Sequence, residues 1–171
     1  GVSIGRDISF AEIENQYDAV YISIGAHNDK KIGIPGEDAV GVHSAVQLLR
    51  DIGEGRVPDF KGKRVCVIGG GNVSMDATRT AIRLGASAVT CVYRRRVTDM
   101  TALAEEIEEA QSEGCQILSL QAPDHIETDE TGRVTALWTR PQVIGAYGKD
   151  GRPRPYDADQ PLLRTPCDVV I

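Results

Sequence analysis

The chain has 171 residues, 41% hydrophobic and 26% charged, with a formal net charge of −6 at pH 7, and it is predicted to form one soluble globular domain. The negative charge argues against nucleic acid and anionic membrane surfaces as partners, since both attract basic proteins. No apolar run approaches the roughly 20 residues of a membrane span and no signal peptide is recognisable, so a cytoplasmic location is expected.

The first quarter of the chain carries weak patterns. Phe10 and Ile13 indicate a short helix. The stretch YDAVYISI, residues 17–24, is rich in β-branched and aromatic residues, and it predicts a strand that ends at the small pair Gly25-Ala26. A helix is expected over 44–53, because Ser44 is a favourable cap and a glycine closes the apolar face.

The central pattern runs from residue 65 to residue 93. The apolar run VCVI, residues 65–68, predicts a buried strand, and three glycines follow it directly. Apolar residues at helical spacing then predict a helix that ends at Gly85. The stretch AVTCVY, residues 88–93, predicts a second strand. Together these elements have the length and order of a βαβ unit.

The remaining predicted elements follow two different sequence patterns. A helix over 101–113 and a strand over 115–120 extend the α/β pattern. From residue 123 onward, short strand patterns alternate with turn signals at 129–132 and 149–152, which predicts an antiparallel meander. Its first two strands are expected over 125–128 and 134–139. The fold class predicted is therefore α/β, a Rossmann-like parallel sheet with helices on both faces and an antiparallel β-meander.

The glycine turn predicts a dinucleotide site. Gly69, Gly70 and Gly71 begin a G-x-G-x-x-S pattern that ends at Ser74, between a strand and a helix. Without Cβ atoms, the turn lets a pyrophosphate approach the backbone and accept hydrogen bonds from the N–H groups at the helix start. Ser74 takes the place of the usual small third residue. The alternative is an empty structural turn.

The residues after the second strand indicate which dinucleotide is bound. NAD-binding folds place a carboxylate there to bind the ribose 2′-hydroxyl, whereas this chain has Arg94, Arg95 and Arg96. Guanidinium groups bind a 2′-phosphate through paired hydrogen bonds, so NADPH is the predicted ligand, held by Arg94 and Arg95. The alternative is a solvated basic loop that balances the glutamate-rich helix after it.

Other residue types point to a binding role. Asn72 and Asp76 stand where they can cap the helix, and Asn72 is also placed to contact cofactor phosphate or ribose. The four cysteines form no CxxC pair and are expected to be reduced and buried. No catalytic residue and no metal site is predicted, because neither a nucleophile elbow nor metal-ligand spacing occurs. Any chemistry would belong to a cofactor.

Several strings together resemble one known family. They are GGGNVSMDATRTAIRLGASAVTCVYRRR, YDAVYISIGA, IPGED and ETGRV. Over nearly all of residues 17–171 the chain is similar to the NADPH-binding domain of the glutamate synthase small (beta) subunit family, which includes the flavin-containing part of dihydropyrimidine dehydrogenase. Family members often continue with Met-Pro and basic residues after the arginines, whereas this chain has Met100-Thr101-Ala102 followed by glutamates.

The resemblance implies a larger flavoprotein. Residues 1–171 would form a single NADPH-binding domain excised from an FAD-dependent oxidoreductase, with 1–26 and 167–171 as junctions to its FAD domain. NADPH would pass a hydride to FAD, and electrons would reach an iron–sulfur partner or catalytic subunit. Along the pyrophosphate the resemblance places Gly70, Gly71, Asn72 and Val73. Two alternatives are a non-catalytic nucleotide-sensing or scaffold domain and a domain that binds S-adenosylmethionine, although the arginines argue against the latter.

Overall fold

The computed structural model describes residues 1–25, 27–149 and 151–171. The helices are α1 (Phe10–Gln16), α2 (Ala45–Gly53), α3 (Asn72–Arg83) and α4 (Ala104–Ser112), with a 3₁₀ turn at Val97–Asp99. The strands are β1 (Arg64–Ile68), β2 (Ala88–Tyr93), β3 (Gln116–Ser119), β4 (Gln121–Thr128), β5 (Val134–Tyr147), β6 (Pro153–Asp157), β7 (Leu163–Pro166) and β8 (Val169–Val170).

The described residues form one parallel and one antiparallel sheet. In the parallel sheet the strands have the order β3-β2-β1-β8. Ile68 of β1 is paired with Val92 of β2, so both strands end at the same edge. From β1 the chain moves outward through β2 to β3, and it returns to the other side of β1 as β8. The strand order therefore reverses at β1, which is the position where open α/β sheets bind ligands.

The antiparallel sheet is built on β5, which is longer than the strand predicted over 134–139. The first half of β5 pairs with β4 and β7, and its second half pairs with β6. The predicted turn at 129–132 is confirmed, with Asp129 donating to the Arg133 carbonyl and Gly132 at a φ of 76°. The β5–β6 turn closes through Gly148, which donates to the Arg152 carbonyl at 2.7 Å. Asp150 lies outside the described residues.

The core lies on both faces of the parallel sheet, as the alternation of its strands requires. On one face, Val65 and Val67 pack with residues of α2 and α3, and Cys91 packs with Met75 and Ile107 of α3 and α4. On the other face, Cys66, Val92 and Val170 pack with Ile126 of β4 and with Val134 and Leu137 of β5.

This arrangement confirms the Rossmann-like α/β class with an antiparallel meander and corrects one detail of the prediction. The packed helices α2, α3 and α4 all lie on one face of the sheet. The opposite face is covered by the antiparallel sheet, because the inward residues of β4 and β5 bury the apolar side chains there. The two helix boundaries that carried a clear end signal are confirmed. Ser44 accepts a hydrogen bond from the Gln47 N–H, and Gly85 ends α3 with a φ of 84°.

The strand predicted over 17–24 is not formed by the described residues. That stretch is extended without ladder partners, and its apolar side chains face solvent, Tyr21 being 91% and Ile24 72% exposed. A strand needs hydrogen bonds from a neighbour, and the described part of the chain supplies none here. Ala26, at the predicted end of this strand, is outside the described residues. Among the residues described, no helix has the length and hydropathy to cross a membrane.

Candidate nucleotide-binding site

The glycine turn follows β1 directly and has little space around its first two residues. Gly69 has a φ of 142°, and a Cβ there would lie 2.2 Å from the Ser74 Oγ. A Cβ on Gly70 would lie 2.6 Å from the ring of Tyr93, whereas a Cβ on Gly71 would meet only the Thr101 Oγ1, at 3.5 Å. The first two glycines are therefore required by packing within the protein, and Gly71 leaves space above the helix start.

The start of α3 differs from the prediction in one respect. Gly71 is the N-cap residue and no side chain caps the helix. Asn72 does not cap its own helix, because its Oδ1 accepts a hydrogen bond of 3.0 Å from the Leu103 N–H. Asn72 and Val73 are both exposed at the first turn, where backbone N–H groups have no carbonyl partner within the helix. This end of α3 therefore offers donors and the positive end of the helix dipole to an anion.

The loop before α4 is bound to the glycine turn. The N–H groups of Thr101 and Ala102 donate to the Gly70 carbonyl at 2.9 and 3.0 Å. These bonds hold the backbone of residues 101–102 outside helical geometry, so α4 begins at Ala104 instead of the predicted residue 101. The spacing of apolar residues in this loop gave no sign of the contact. The two hydrogen bonds from residues 101–102 fix the position of Gly70 beneath the candidate site.

The three arginines after β2 have different surroundings. Arg94 is exposed and forms no hydrogen bond or ion pair with the part of the chain that the structure describes. Arg95 is only 8% exposed, and its Nε donates to the Pro153 carbonyl at 2.8 Å. Arg96 forms a two-bond ion pair with Asp99, at 2.8 and 2.9 Å, which lowers the pKa of the Asp99 carboxyl.

The surroundings of Arg95 are unusual for a buried cation. Its side chain is buried, yet within residues 1–25, 27–149 and 151–171 its terminal guanidinium nitrogens have no hydrogen-bond or ion-pair partner. A buried charge is normally paired or hydrogen-bonded, because desolvation without compensation is costly. The exposed Arg94 lies beside it. Arg96 is instead paired with Asp99.

A cavity of about 340 Å³ brings these groups together at the carboxyl edge of β1 and β2. Its lining includes residues 69–71, residues 92–95, Ile32, Ile68, Thr101, Pro123 and Arg152. The predicted residues Gly69, Gly70, Gly71, Arg94 and Arg95 thus share one cavity. Asn72 and Val73 stand next to it at the start of α3, and Ser74 lies beneath Gly69 as the small residue that the turn accommodates.

Tyr93 and Arg152 line the cavity, are bonded to each other and were not predicted as part of the site. The Tyr93 hydroxyl donates to the Asp99 carbonyl at 2.8 Å and accepts a hydrogen bond of 2.7 Å from Arg152. The same Arg152 nitrogen donates to the Asp99 carbonyl at 3.0 Å. Tyr93 could have been noticed as the last residue of its strand. Arg152 had no local signal, because it is contributed by the β5–β6 turn, far away in the sequence.

The four cysteines are free and buried, as predicted. Burial raises the pKa of Cys91 to about 12. Over the described residues, no group of three or more His, Cys, Asp or Glu side chains is arranged to hold a metal ion.

The sequence matches the family model for pyridine nucleotide-disulphide oxidoreductases over residues 7–155. The chain belongs to the pyridine nucleotide-disulphide oxidoreductase family. It is 38% identical over 178 residues to a putative oxidoreductase of Escherichia coli named UacF. It is 36% identical over 181 residues to the glutamate synthase [NADPH] small chain of Halomonas elongata, which confirms the resemblance noted from the sequence. It is 35% identical over 170 residues to the NADP(+)-dependent formate dehydrogenase subunit beta of Moorella thermoacetica.

These relatives are much longer than this chain. The matches cover 98%, 100% and 98% of the chain, and only 28%, 38% and 24% of the UacF, glutamate synthase and formate dehydrogenase proteins, respectively. The fold is also similar to that of Mycobacterium tuberculosis FprA in its complex with NADPH, with a TM-score of 0.78 at 20% identity, over 99% of this chain and 52% of FprA. At that identity the match supports the Rossmann-like fold alone.

Proposed function

We propose that this chain is the NADPH-binding domain of an FAD-dependent oxidoreductase of the glutamate synthase small subunit type. The observation that carries the proposal is the cavity at the carboxyl edge of β1 and β2. There a glycine turn and a helix start meet the exposed Arg94 and the buried Arg95, whose terminal nitrogens have no hydrogen-bond or ion-pair partner in the described chain.

The residues present fit NADPH. The pyrophosphate is assigned to the backbone of Gly70 and Gly71 and to the start of α3 at Asn72 and Val73, because Gly71 leaves open space there. Gly69 leaves room for the Ser74 hydroxyl, which a Cβ on Gly69 would meet at 2.2 Å. The 2′-phosphate is assigned to Arg94 and Arg95 at the end of β2, where guanidinium groups can form paired, charge-assisted hydrogen bonds.

When bound, NADPH would supply the hydride for reduction of FAD in the intact protein. The residues of this chain would bind and orient the dinucleotide. Arg94 and Arg95 would anchor the adenosine end beside β2, and the glycine turn would hold the pyrophosphate over β1. The nicotinamide end would then extend toward β8, on the other side of the point where the strand order reverses.

The chain is further proposed to be one domain of a longer protein, with residues 1–26 and 167–171 as the junctions to an FAD domain. The exposed apolar side chains of 17–24 support this proposal, since an extended segment of that composition is expected to be covered by a neighbouring sheet. The proposal also includes a catalytic or iron–sulfur partner that accepts the electrons. Two relatives support it because they are named as subunits, the formate dehydrogenase subunit beta and the NADPH-Fe(3+) oxidoreductase subunit beta of Geobacter sulfurreducens.

Calorimetric titration of the purified protein with NADP⁺ and with NAD⁺ tests the nucleotide assignment. NADP⁺ should bind more tightly, and Arg94→Ala should weaken NADP⁺ binding about tenfold with little effect on NAD⁺, since a charge-assisted hydrogen bond contributes about 1.5–3 kcal/mol. Arg133→Ala is the matched control, because it removes an equal charge from the exposed β4–β5 turn. Absence of NADP⁺ binding, or equal affinity for the two nucleotides, would contradict the proposal.

The role in flavin reduction requires a separate experiment. Anaerobic mixing of the flavin-loaded full-length protein with NADPH should bleach the flavin absorbance, and NADH should do so more slowly. Tight NADP⁺ binding without any flavin reduction would favour the alternative of a nucleotide-sensing domain.

A further inference from the structure

We propose that Arg152, in the turn between β5 and β6, is a third cationic ligand of the 2′-phosphate, contributed by the antiparallel sheet. The inference deepens the proposed function and rests on it. The sequence replaces the basic residues of the next helix with glutamates, so a third cation is not available from α4. The fold supplies one from the antiparallel sheet, because Arg152 lines the same 340 Å³ cavity as Arg94 and Arg95.

The position of Arg152 is set by the end of β2. Its Nη2 donates to the Tyr93 hydroxyl at 2.7 Å and to the Asp99 carbonyl at 3.0 Å. Tyr93 immediately precedes Arg94, and its ring lies directly against Gly70. The Arg152 guanidinium is therefore held at the strand end where the ribose 2′ position is recognised in this type of fold.

The same turn segment also positions Arg95. Pro153 is buried, and its carbonyl accepts the hydrogen bond from the Arg95 Nε. Arg152 is bonded to Tyr93, and Pro153 is bonded to Arg95. The antiparallel sheet is thus connected to both ends of the segment 93–95. A hairpin that served only to cover the sheet would not need to place one cation and orient another at the same cavity.

The local charge balance favours an anion in this cavity. The nearby Asp99 carboxylate is paired with Arg96. On α4, Glu106, Glu109 and Glu113 are paired with Arg79. Arg94 and Arg95 therefore bring positive charge to the cavity that Arg152 also lines, and a doubly charged phosphate there would reduce the repulsion among these guanidinium groups. Guanidinium groups can also share its oxygens through paired hydrogen bonds.

Adenosine 2′,5′-bisphosphate and 5′-AMP are suitable probes because they differ only in the 2′-phosphate. In calorimetric titrations of the purified protein, Arg152→Met should weaken binding of the bisphosphate about tenfold or more and change binding of 5′-AMP by less than about twofold. Arg154→Met is the matched control, since Arg154 is exposed, lies two residues further along the chain and carries the same charge. It should leave both affinities within about twofold of wild type.

A positioning role for Arg152 is separated from direct binding by Tyr93→Phe, which removes the hydroxyl that Arg152 binds and keeps the ring against Gly70. If Arg152 contacts the phosphate, Tyr93→Phe should lose only a small part of the affinity that Arg152→Met loses. The inference is overturned if Tyr93→Phe reproduces the full loss, if Arg154→Met does so, or if Arg152→Met weakens both probes equally.

Chemical modification of the wild-type protein keeps the test decisive if a variant does not fold. Phenylglyoxal labelling, mapped by peptide mass spectrometry, should show that the bisphosphate protects Arg94 and Arg152 while Arg154 stays reactive. Equal labelling of Arg152 with and without the bisphosphate overturns the inference. If the wild-type protein does not distinguish the two probes at all, the proposed function itself fails. If the wild-type protein and the Arg152→Met variant distinguish the two probes equally well, only the role of Arg152 is refuted.

Discussion

The Nε of Arg95 donates a 2.8 Å hydrogen bond to the carbonyl oxygen of Pro153, 58 positions later in the chain. Arg95 lies two residues beyond the end of β2 in the parallel sheet, and Pro153 begins β6 in the antiparallel sheet. The bond is buried, so it joins the two sheets beside the candidate nucleotide site. Stability of the domain and recognition of the nucleotide therefore depend on the same side chain.

Arg95→Met is expected to lower the free energy of unfolding by about 1–3 kcal/mol, because the Pro153 carbonyl would stay buried without its donor. The variant should also bind NADP⁺ more weakly than the wild type. Urea unfolding followed by circular dichroism measures the first effect, and calorimetry measures the second.

Arg94→Met is the control for that prediction, since Arg94 is exposed and unbonded within the described chain. Its stability should stay within about 0.5 kcal/mol of wild type, although its NADP⁺ affinity should also fall. If Arg95→Met is as stable as Arg94→Met, the bond to Pro153 contributes little to holding the two sheets together.

Gly70 and Gly71 should respond differently to alanine. A Cβ on Gly70 meets the Tyr93 ring at 2.6 Å, so Gly70→Ala is expected to destabilise the fold by about 1–3 kcal/mol through overpacking. A Cβ on Gly71 has only an ordinary contact at 3.5 Å. Gly71→Ala should therefore cost less than about 1 kcal/mol in stability and should still abolish most NADP⁺ binding, because the methyl group occupies the space proposed for the pyrophosphate.

Thermal unfolding and NADP⁺ titration of both variants check this pair. Gly53→Ala, at the end of α2 with nothing within 4 Å of the added Cβ, serves as the control and should keep both properties. A folded Gly71→Ala protein with wild-type affinity would place the pyrophosphate elsewhere.

The local parts of the fold were predictable from the sequence. Strand, glycine turn, helix and second strand follow each other between residues 64 and 93, and each signal in that unit depends on neighbouring residues. The buried cysteines and the helix cap at Ser44 were predictable for the same reason. Where propensity, periodicity and turn chemistry agree over a short range, the structure follows them.

Features that depend on distant parts of the chain could not be predicted. The contribution of Arg152 to the cavity depends on how the β5–β6 turn packs on β2. The start of α4 depends on bonds from residues 101–102 to Gly70. The residue types of 17–24 favour a strand, and the prediction was wrong because a strand also requires a partner, which a local pattern does not reveal.

Glu127 should make stability sensitive to acid. Its carboxylate accepts two hydrogen bonds from Arg164, at 2.6 and 2.9 Å, and one each from Trp138 and Thr135, at 2.7 and 2.8 Å. These bonds hold the pKa of Glu127 well below its ordinary value of 4.5, and the bonds from Arg164 have the largest effect. The stabilisation is thus fully present above pH 4.5 and is lost as the pH falls toward the pKa of the folded state.

Urea unfolding between pH 7 and pH 3 tests this dependence. Glu127→Gln should be less stable than the wild type at pH 7, and the difference should narrow as the pH falls below about 4.5. Glu130→Gln, an exposed neighbour in the β4–β5 turn, should follow the wild-type curve. A constant difference between Glu127→Gln and wild type across the whole range would show that the carboxylate bonds do not control acid sensitivity.

The four cysteines should resist alkylation in the native protein. Burial raises the pKa of Cys91 to about 12 and also raises that of Cys115, while a hydrogen bond with Cys167 raises the pKa of Cys66. Since the thiolate is the reactive form, these three thiols should react very slowly at pH 8. The bond from Cys66 lowers the pKa of Cys167, but that side chain is 0% exposed.

Cys167 therefore tests whether access of the reagent, as distinct from ionisation of the thiol, limits the reaction. A pulse of iodoacetamide at pH 8, followed by peptide mass spectrometry, should leave all four cysteines unmodified in native buffer and modify all four in denaturing urea. Because Cys167 is kept from the reagent by packing between the two sheets, destabilising that interface with Leu137→Ala should accelerate its modification, through a loss of about 2–5 kcal/mol in core packing. Rapid native modification of Cys167 in the wild type would mean that the interface between the sheets opens readily without complete unfolding.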